Sequence, residues 1–378
     1  YAKQKNVKII VWTWASCVRE NPEDWIKKMK DYGVSGAKID FFERNDQIAM
    51  RWGRDFAQRL ANHQMVALFH GCPVPAGINR TFPNILNFEA VRGAECNFWE
   101  KTLTPEYHTQ FPFIRSLVGP EDYTPGSMRN VTQEEFQPID KDDTPPMSMG
   151  TRAHELSMYV IYDQWIGYLC DSPTEYNKYP DILSFLSTVP VVWDKTVPLD
   201  AKLGDYILVA KQKGKDWYVG GMTDWTARTL EVDFGFLEAG VSYLADIFKD
   251  TSASGEQPKQ YVCERMEITK DTKLSIPMAK GGGFAIRLLH ASGSGITEVK
   301  QENPLIVYVE KETDTLHIKT EKRIEAVRIN DITGQTLFAR KYNDDVYSER
   351  INLSDFNKGI YVVSVKTAPA LASTTFIY

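Results

Sequence analysis

Through its first half the chain repeats one unit: an apolar strand, then an amphipathic helix, with a polar residue where each strand stops. Val7 to Trp14 (VKIIVWTW) is a continuous apolar run, as expected of a strand buried on both faces. Asn21-Pro22-Glu23-Asp24 opens a helix that ends at Gly33, with an Asn cap, Pro in the first turn and acids near the N-terminus. Gly36 to Phe42 (GAKIDFF) and Met65 to His70 (MVALFH) predict further strands, with a long helix over Ile48 to His63 between them. Ile85 to Glu89 and Phe113 to Leu117 are short strand candidates. A helix is expected from about His154 to Leu169, and Thr188 to Trp193 (TVPVVW) reads as the last strand of the series. Such units call for a parallel sheet, doubly wound or closed. Trp14 with Ser16, Asp40, His70 and Glu89 fall at successive strand ends, the pattern of a (β/α)8 TIM barrel. About six strands are legible rather than eight, so the first two strands of the expected barrel are missing from the chain.

From about Leu203 the pattern changes to short alternating strands separated by turn residues: YILVAKQ, WYVGGMT, RTLEVDF, KLSIPM and GGFAIRLL. This predicts an antiparallel β-sandwich. Ala291-Ser-Gly-Ser-Gly-Ile is a linker by composition. A second small β domain follows, with LIVYVEK, TLHIKT, IEAVRIND, GQTLFARKY and IYVVSVKT as its strands. The expected domains are therefore α/β over 1–198 and all-β over 199–290 and 291–378.

Composition narrows the function classes. With 44 basic against 50 acidic residues and no long basic run, nucleic acid is excluded as a partner. No apolar run approaches the length of a membrane span. The five cysteines show no C-x-x-C pair and no zinc spacing, which predicts free buried thiols rather than a disulfide scaffold. The chain opens Tyr1-Ala-Lys-Gln-Lys-Asn, without Met, and reads as processed or truncated.

Asp40 sits between Ile39 and Phe41 at a strand end, where an unpaired carboxylate is costly. It is either a structural cap or salt bridge or a working group. Glu89 and Glu95 lie six residues apart across the turn at Arg92-Gly93; they can converge on one cleft, bind a hard cation through oxygen, or decorate a solvated loop. Asp40 with one of these glutamates makes the carboxylate pair that glycoside hydrolysis requires, one ionised and one carrying a proton. His70 can hydrogen-bond a sugar hydroxyl or be a satisfied core histidine. Trp12, Trp14, Trp99 and Tyr123 can line a sugar pocket or pack in a core. Lys38, two residues before Asp40, joins Trp14, His70 and Arg92 as an expected substrate contact. Asn130-Val131-Thr132 matches a glycosylation acceptor, and Gly281-Gly282-Gly283 reads as a turn or bulge.

Over roughly residues 7–290 these segments resemble glycoside hydrolase family 97. The carriers are VWTWAS, GVSGAKIDFFERNDQ, FHGCPVPAGINRTFPN, NFEAVRGAE, TRAHELSMYVIYDQ, LCDSP, WYVGGMT and GGGFAIRL. The resemblance implies an N-terminal β-sandwich, a central (β/α)8 barrel, a C-terminal β domain and a Ca²⁺ near the catalytic acids. It implies an α-galactoside or other α-linked oligosaccharide as substrate. Asp40 matches the nucleophile of the retaining branch, and Gly71 stands where the inverting branch has a Glu after the His. Glu95 matches the acid/base and Glu89 a calcium ligand, with Glu95 also near the metal. The expected protein is a retaining exo-acting α-glycosidase, with α-galactosides favoured. An inverting α-glucosidase and a non-catalytic carbohydrate-binding surface protein are the alternatives. The family's preceding β-sandwich, as a partner segment, would supply part of the metal site and pocket. IEAVRINDITGQTLFARKY with INLSDFNKGIYVVSV resembles the C-terminal sorting domain of the type IX secretion system of Bacteroidetes, which implies a secreted, periplasmic or cell-surface protein.

Overall fold

A computed structural model describes residues 1–138, 147–290, 306–310, 313–320, 322–331, 335–357, 359–367 and 371–378. The strand–helix series forms β1 (Ile10–Trp14), α1 (Ala15–Glu20), α2 (Pro22–Asp31), β2 (Gly36–Asp40), α3 (Gln47–Asn62), β3 (Val66–Phe69), α4 (Ile78–Thr81) and β4 (Ile85–Phe88). The four strands pair in parallel in chain order, with Trp14 beside Asp40, Ile39 beside Phe69 and Phe69 beside Phe88. Side chains alternate along a strand, and residues in register share a face. Val11, Ala37, Ile39, Ala67, Phe69 and Phe88 accordingly pack with Ile26 of α2 and Phe56, Ala57 and Leu60 of α3. The opposite face carries Trp12, Trp14, Lys38 and Asp40. Burial of β1 on both faces is thus corrected, because Trp12 and Trp14 stay about half exposed. The Asp46 carboxylate caps α3 by accepting from the Ile48 and Ala49 amides.

The chain continues through α5 (Pro105–Ile114), β5 (Asn130–Val131), β6 (Ser148–Met149), α6 (Arg152–Ile161), α7 (Pro173–Tyr176) and α8 (Pro180–Leu186). Three local expectations are corrected. Phe113 to Leu117 closes α5 and enters a 3-10 turn instead of forming a strand. Thr188 to Trp193 pairs with nothing as a strand; Pro190 offers no amide, and Val191 and Val192 are exposed. The helix expected to reach Leu169 stops at Ile161, because Tyr162 turns extended. Every residue of α6 is buried, so no periodicity marked its end. Asn130 is buried within β5, which removes it as a glycan acceptor.

Next come β7 (Lys195–Lys202), β8 (Tyr206–Lys213), β9 (Asp216–Thr223), β10 (Arg228–Asp233), β11 (Tyr243–Lys249), β12 (Val262–Ile268), β13 (Lys273–Met278) and β14 (Gly283–His290). An antiparallel sheet in the order β12-β11-β14-β9-β8-β7 faces the β10-β13 pair, with Leu208, Val219, Val232, Ile276 and Ile286 in the core. The 198/199 boundary read from the sequence falls inside β7, whose hairpin with β8 begins at Lys195. α6 packs on β8, β9 and β14, so strand–helix region and sandwich form one compact unit, Tyr1–Ala291.

The second unit, Ser292–Tyr378, holds β15 (Ile306–Glu310), β16 (Thr315–Lys319), β17 (Ile324–Asp331), β18 (Thr336–Lys341), β19 (Ser348–Asn352), β20 (Ile360–Thr367) and β21 (Leu371–Ile377). Its sheets, β15-β16-β19 and β18-β17-β20-β21, close over Leu316, Ile318, Val327, Ile329 and Val363. The linker at Ala291 and sorting-motif positions 332–334 and 358 lie outside the described residues. All five cysteines are free, but burial is corrected: Cys17 and Cys263 are exposed, and Cys72, Cys96 and Cys170 are half-buried. No described helix is long and apolar enough to cross a membrane.

Candidate active site

Asp40 ends β2 and is 5% exposed. Its Oδ2 accepts from the Trp12 indole Nε1 at 2.9 Å and contacts His70 Nδ1 at 3.1 Å; its Oδ1 accepts the Phe41 amide at 2.6 Å. Burial pushes the carboxyl up, but bonds from His70 and Trp12, the His70 charge and the Phe41 amide outweigh it and hold Asp40 below the usual carboxylate range. The indole reaches Asp40 because β1 and β2 run in parallel register, Trp12 beside Lys38.

His70 lies one residue past β3 and joins the acids. Its Nε2 is 3.3 Å from Glu89 Oε1 and 3.7 Å from Glu95 Oε1. Burial lowers the imidazole pKa, but Asp40, Glu89 and Glu95 outweigh burial and nearby Lys38, so the net direction is upward. Burial drives the Glu89 carboxyl up to about 7, opposed by His70 and the Gly71 amide, which donates to Glu89 Oε2 at 2.7 Å. One donor atom each from His70, Glu89 and Glu95 lies within 4.8 Å of the others. Glu95 sits in the 3-10 turn Ala94–Phe98, with its side chain about half exposed.

Each of these strand ends is followed by a left-handed residue: Phe41 at φ 55°, Gly71 at φ 48° and Ala90 at φ 39°. Two of the three are not glycine and carry backbone strain. A Cβ at Gly71 would lie 2.7 Å from Asp40 Oδ1 and 3.0 Å from the Phe41 amide, so glycine there lets the carboxylate lie against the backbone.

The structure brings Lys38, Asp40, His70, Glu89 and Glu95 together. Trp14 sits beside them, half exposed, in an edge-on cluster with Trp12 and Phe41 at 6.5 and 5.2 Å. Arg92 points elsewhere and pairs with Glu100. Tyr123 is a core residue bonded to His108, and Trp99 is exposed beside Phe98. Sequence reasoning missed Asp122, which is buried and takes Lys38 Nζ on Oδ2 at 2.7 Å. It also missed Arg115, whose guanidinium donates to the carbonyls of Phe88, Glu89, Gly119 and Pro120 and so ties the end of β4 to the segment carrying Asp122. The acidic pair Glu121-Asp122 between Pro120 and Tyr123 was the available signal.

Residues 1–91 match the family described as Glycoside hydrolase 97, and residues 192–289 match Glycosyl-hydrolase 97 C-terminal, oligomerisation. Residues 312–377 match the Secretion system C-terminal sorting domain, which points to export. The chain is 40% identical to a retaining alpha-galactosidase of Bacteroides thetaiotaomicron, over 76% of this chain and 43% of the relative. It is 30% identical to a probable retaining alpha-galactosidase of Streptomyces bingchenggensis, over 77% and 42%. It thus spans less than half the length of the curated relatives it matches. A family 97 enzyme from a Pseudoalteromonas strain, solved with panose, superposes with a TM-score of 0.70 at 27% identity, over 77% of this chain and 48% of that one. Segments at both ends of the first unit, the long relatives between them and the superposed structure agree: the chain belongs to glycoside hydrolase family 97 and carries a secretion-system sorting domain at its C-terminal end.

Proposed function

We propose that this chain carries the reacting carboxylates of a retaining exo-acting α-glycosidase, with terminal α-galactosides as the substrate class. The observation that carries the reading is Asp40: a buried carboxylate at a parallel strand end, kept ionised by an indole, an imidazole and a backbone amide. Asp40 attacks the anomeric carbon, and Glu95 gives its proton to the departing oxygen. Glu95 then takes a proton from water, which releases the sugar and regenerates Asp40. The name of the 40%-identical relative favours galactose.

The four parallel strands are read as part of a (β/α)8 barrel, supported by their shared polar face and by the isolated parallel bridge from Phe88 to Glu121. Glu89 and Glu95 would hold Ca²⁺. The donor set fits, since hard cations take carboxylate oxygens, and the Glu89 carboxyl is driven up to about 7 by burial despite His70 beside it, so a further positive charge would favour its ionised form. When bound, the ion would supply positive charge for sugar hydroxyls; Glu95 moves the protons, Asp40 makes and breaks the bond to the anomeric carbon, and His70 holds Asp40 in place.

The inverting reading needs a side chain at position 71, and such a side chain would compete with Asp40 for the same space. Proton NMR of the first products from an aryl α-galactoside, with the complete protein and Ca²⁺, tests the proposal. α-Galactose appearing first agrees with it. β-Galactose first removes Asp40 as nucleophile. Silence on galactoside and glucoside alike moves the assignment to a carbohydrate-binding protein.

A further inference from the structure

Lys211 belongs to β8 of the sandwich, yet its ammonium is buried against the strand–helix region, its side chain 2% exposed. It donates to the Ile161 carbonyl at 3.1 Å and the Tyr162 carbonyl at 3.4 Å, and pairs with Asp163 Oδ1 at 2.7 Å. It therefore caps the C-terminal end of α6, where orphan carbonyls and the helix dipole favour a cation. A buried ammonium is retained only where its charge is met, and here it is met by carbonyls and one carboxylate.

Contacts continue from that cap to the carboxylate site. Asp163 and Glu121 exchange two hydrogen bonds: the Glu121 amide donates to the Asp163 carbonyl at 2.9 Å, and the Asp163 amide donates to Glu121 Oε1 at 3.0 Å. Glu121 is wholly buried and bridges to Phe88, next to Glu89. The neighbouring Asp122 takes Lys38 on its carboxylate, and Lys38 stands two residues before Asp40 on the same strand face. Lys211, Glu121 and Asp122 are buried, and Asp163 and Lys38 partly so; losing one of these contacts leaves a buried partner unsatisfied, so the contacts move together.

We propose that Lys211 is a positioning residue for the carboxylate site, acting from the β-sandwich through Asp163, Glu121 and Asp122 on Lys38. The sandwich is then part of the device that sets the active geometry. This rests on the α-glycosidase reading only for its kinetic consequence; the coupling itself is a statement about geometry.

Both readouts use the complete protein. The first is kcat and KM on an aryl α-galactoside for Lys211→Met and Asp163→Asn. The second is the indole ¹⁵N–¹H spectrum of the 9 tryptophans, with the Trp12 peak assigned by its loss in Trp12→Phe. Trp193, 5.6 Å from the Lys211 ammonium, reports the substitution itself, whereas Trp12 reports what reaches Asp40. The expected result is a kcat lowered about tenfold or more with KM within about twofold, and a displaced Trp12 peak in both variants. The double variant should be no worse than Lys211→Met alone. Folded variants with wild-type kcat and an unmoved Trp12 peak overturn the proposal. If Lys211→Met does not fold, Asp163→Asn decides, since it keeps the backbone bonds to Glu121 and removes only the charge. If the wild-type protein turns nothing over, the α-glycosidase reading fails, and the Trp12 peak alone decides the coupling.

Discussion

Replacing Gly71 by Ala should damage the site far more than its size suggests. Two costs combine. The left-handed backbone at φ 48° disfavours any side chain, by roughly 1–2 kcal/mol. The new Cβ would also stand 2.7 Å from Asp40 Oδ1, closer than carbon and oxygen tolerate, so the carboxylate or residue 71 must move. Movement of either weakens the Phe41 amide bond to Asp40 or the Gly71 amide bond to Glu89, both charge-assisted and each worth about 1.5–3 kcal/mol. The expected loss of stability is about 3 kcal/mol. Activity should fall about a hundredfold, the scale of an ångström misplacement of a reacting group. Gly77 provides the control, because it also has a positive φ, 77°, but open space where its Cβ would go. Gly77→Ala should therefore cost only the conformational part, about 1–2 kcal/mol, and spare kcat/KM. Denaturant midpoints and kcat/KM on an aryl α-galactoside measure both variants. If Gly71→Ala is no worse than Gly77→Ala, the close approach of residue 71 to Asp40 has no bearing on the site.

Trp12→Phe removes a donor that holds Asp40 ionised, so the Asp40 pKa should rise and the acidic limb of the kcat/KM profile should move to higher pH; an unmoved limb would contradict the role given to the indole. Glu121 keeps its proton in the fold up to about 8, against an ordinary value of 4.5, because burial raises it. Its contribution is complete below about pH 4.5 and is lost as pH rises through about 8. Glu121→Gln should flatten the fall in stability over that window by a few kcal/mol in order of magnitude, and an unchanged slope in denaturant titrations at several pH values would refute this. Added Ca²⁺ should raise the melting temperature of the wild-type protein by mass action but not that of Glu89→Gln, and equal shifts in both would place the ion elsewhere.

The features legible along the chain are those that local chemistry sets. A short, largely apolar strand ending in Asp40, a following amphipathic helix with apolar residues three or four apart, and the next strand ending before His70 are patterns written within a few residues. They sufficed to place Asp40, His70 and Glu89 at successive strand ends, and the length of the matching segments sufficed for the family. The pattern became unreliable where local signals ran out. α6 is buried on all sides and shows no period, while the apolar run Thr188 to Trp193 looked like a strand but has no strand partner.

Which groups act on which is settled by packing between segments far apart in the chain. Lys38 meets Asp122 from 84 residues away, and the Trp12 indole reaches Asp40 from 28 residues away, through a strand register that no local pattern encodes. Arg92, placed between two glutamates in the sequence, turns instead to Glu100. The physical reason is the same in each case. A side chain's charge and hydrogen-bonding capacity are intrinsic, but its partner is whichever group the packing brings within about 3 Å, and that distance is set by the whole fold.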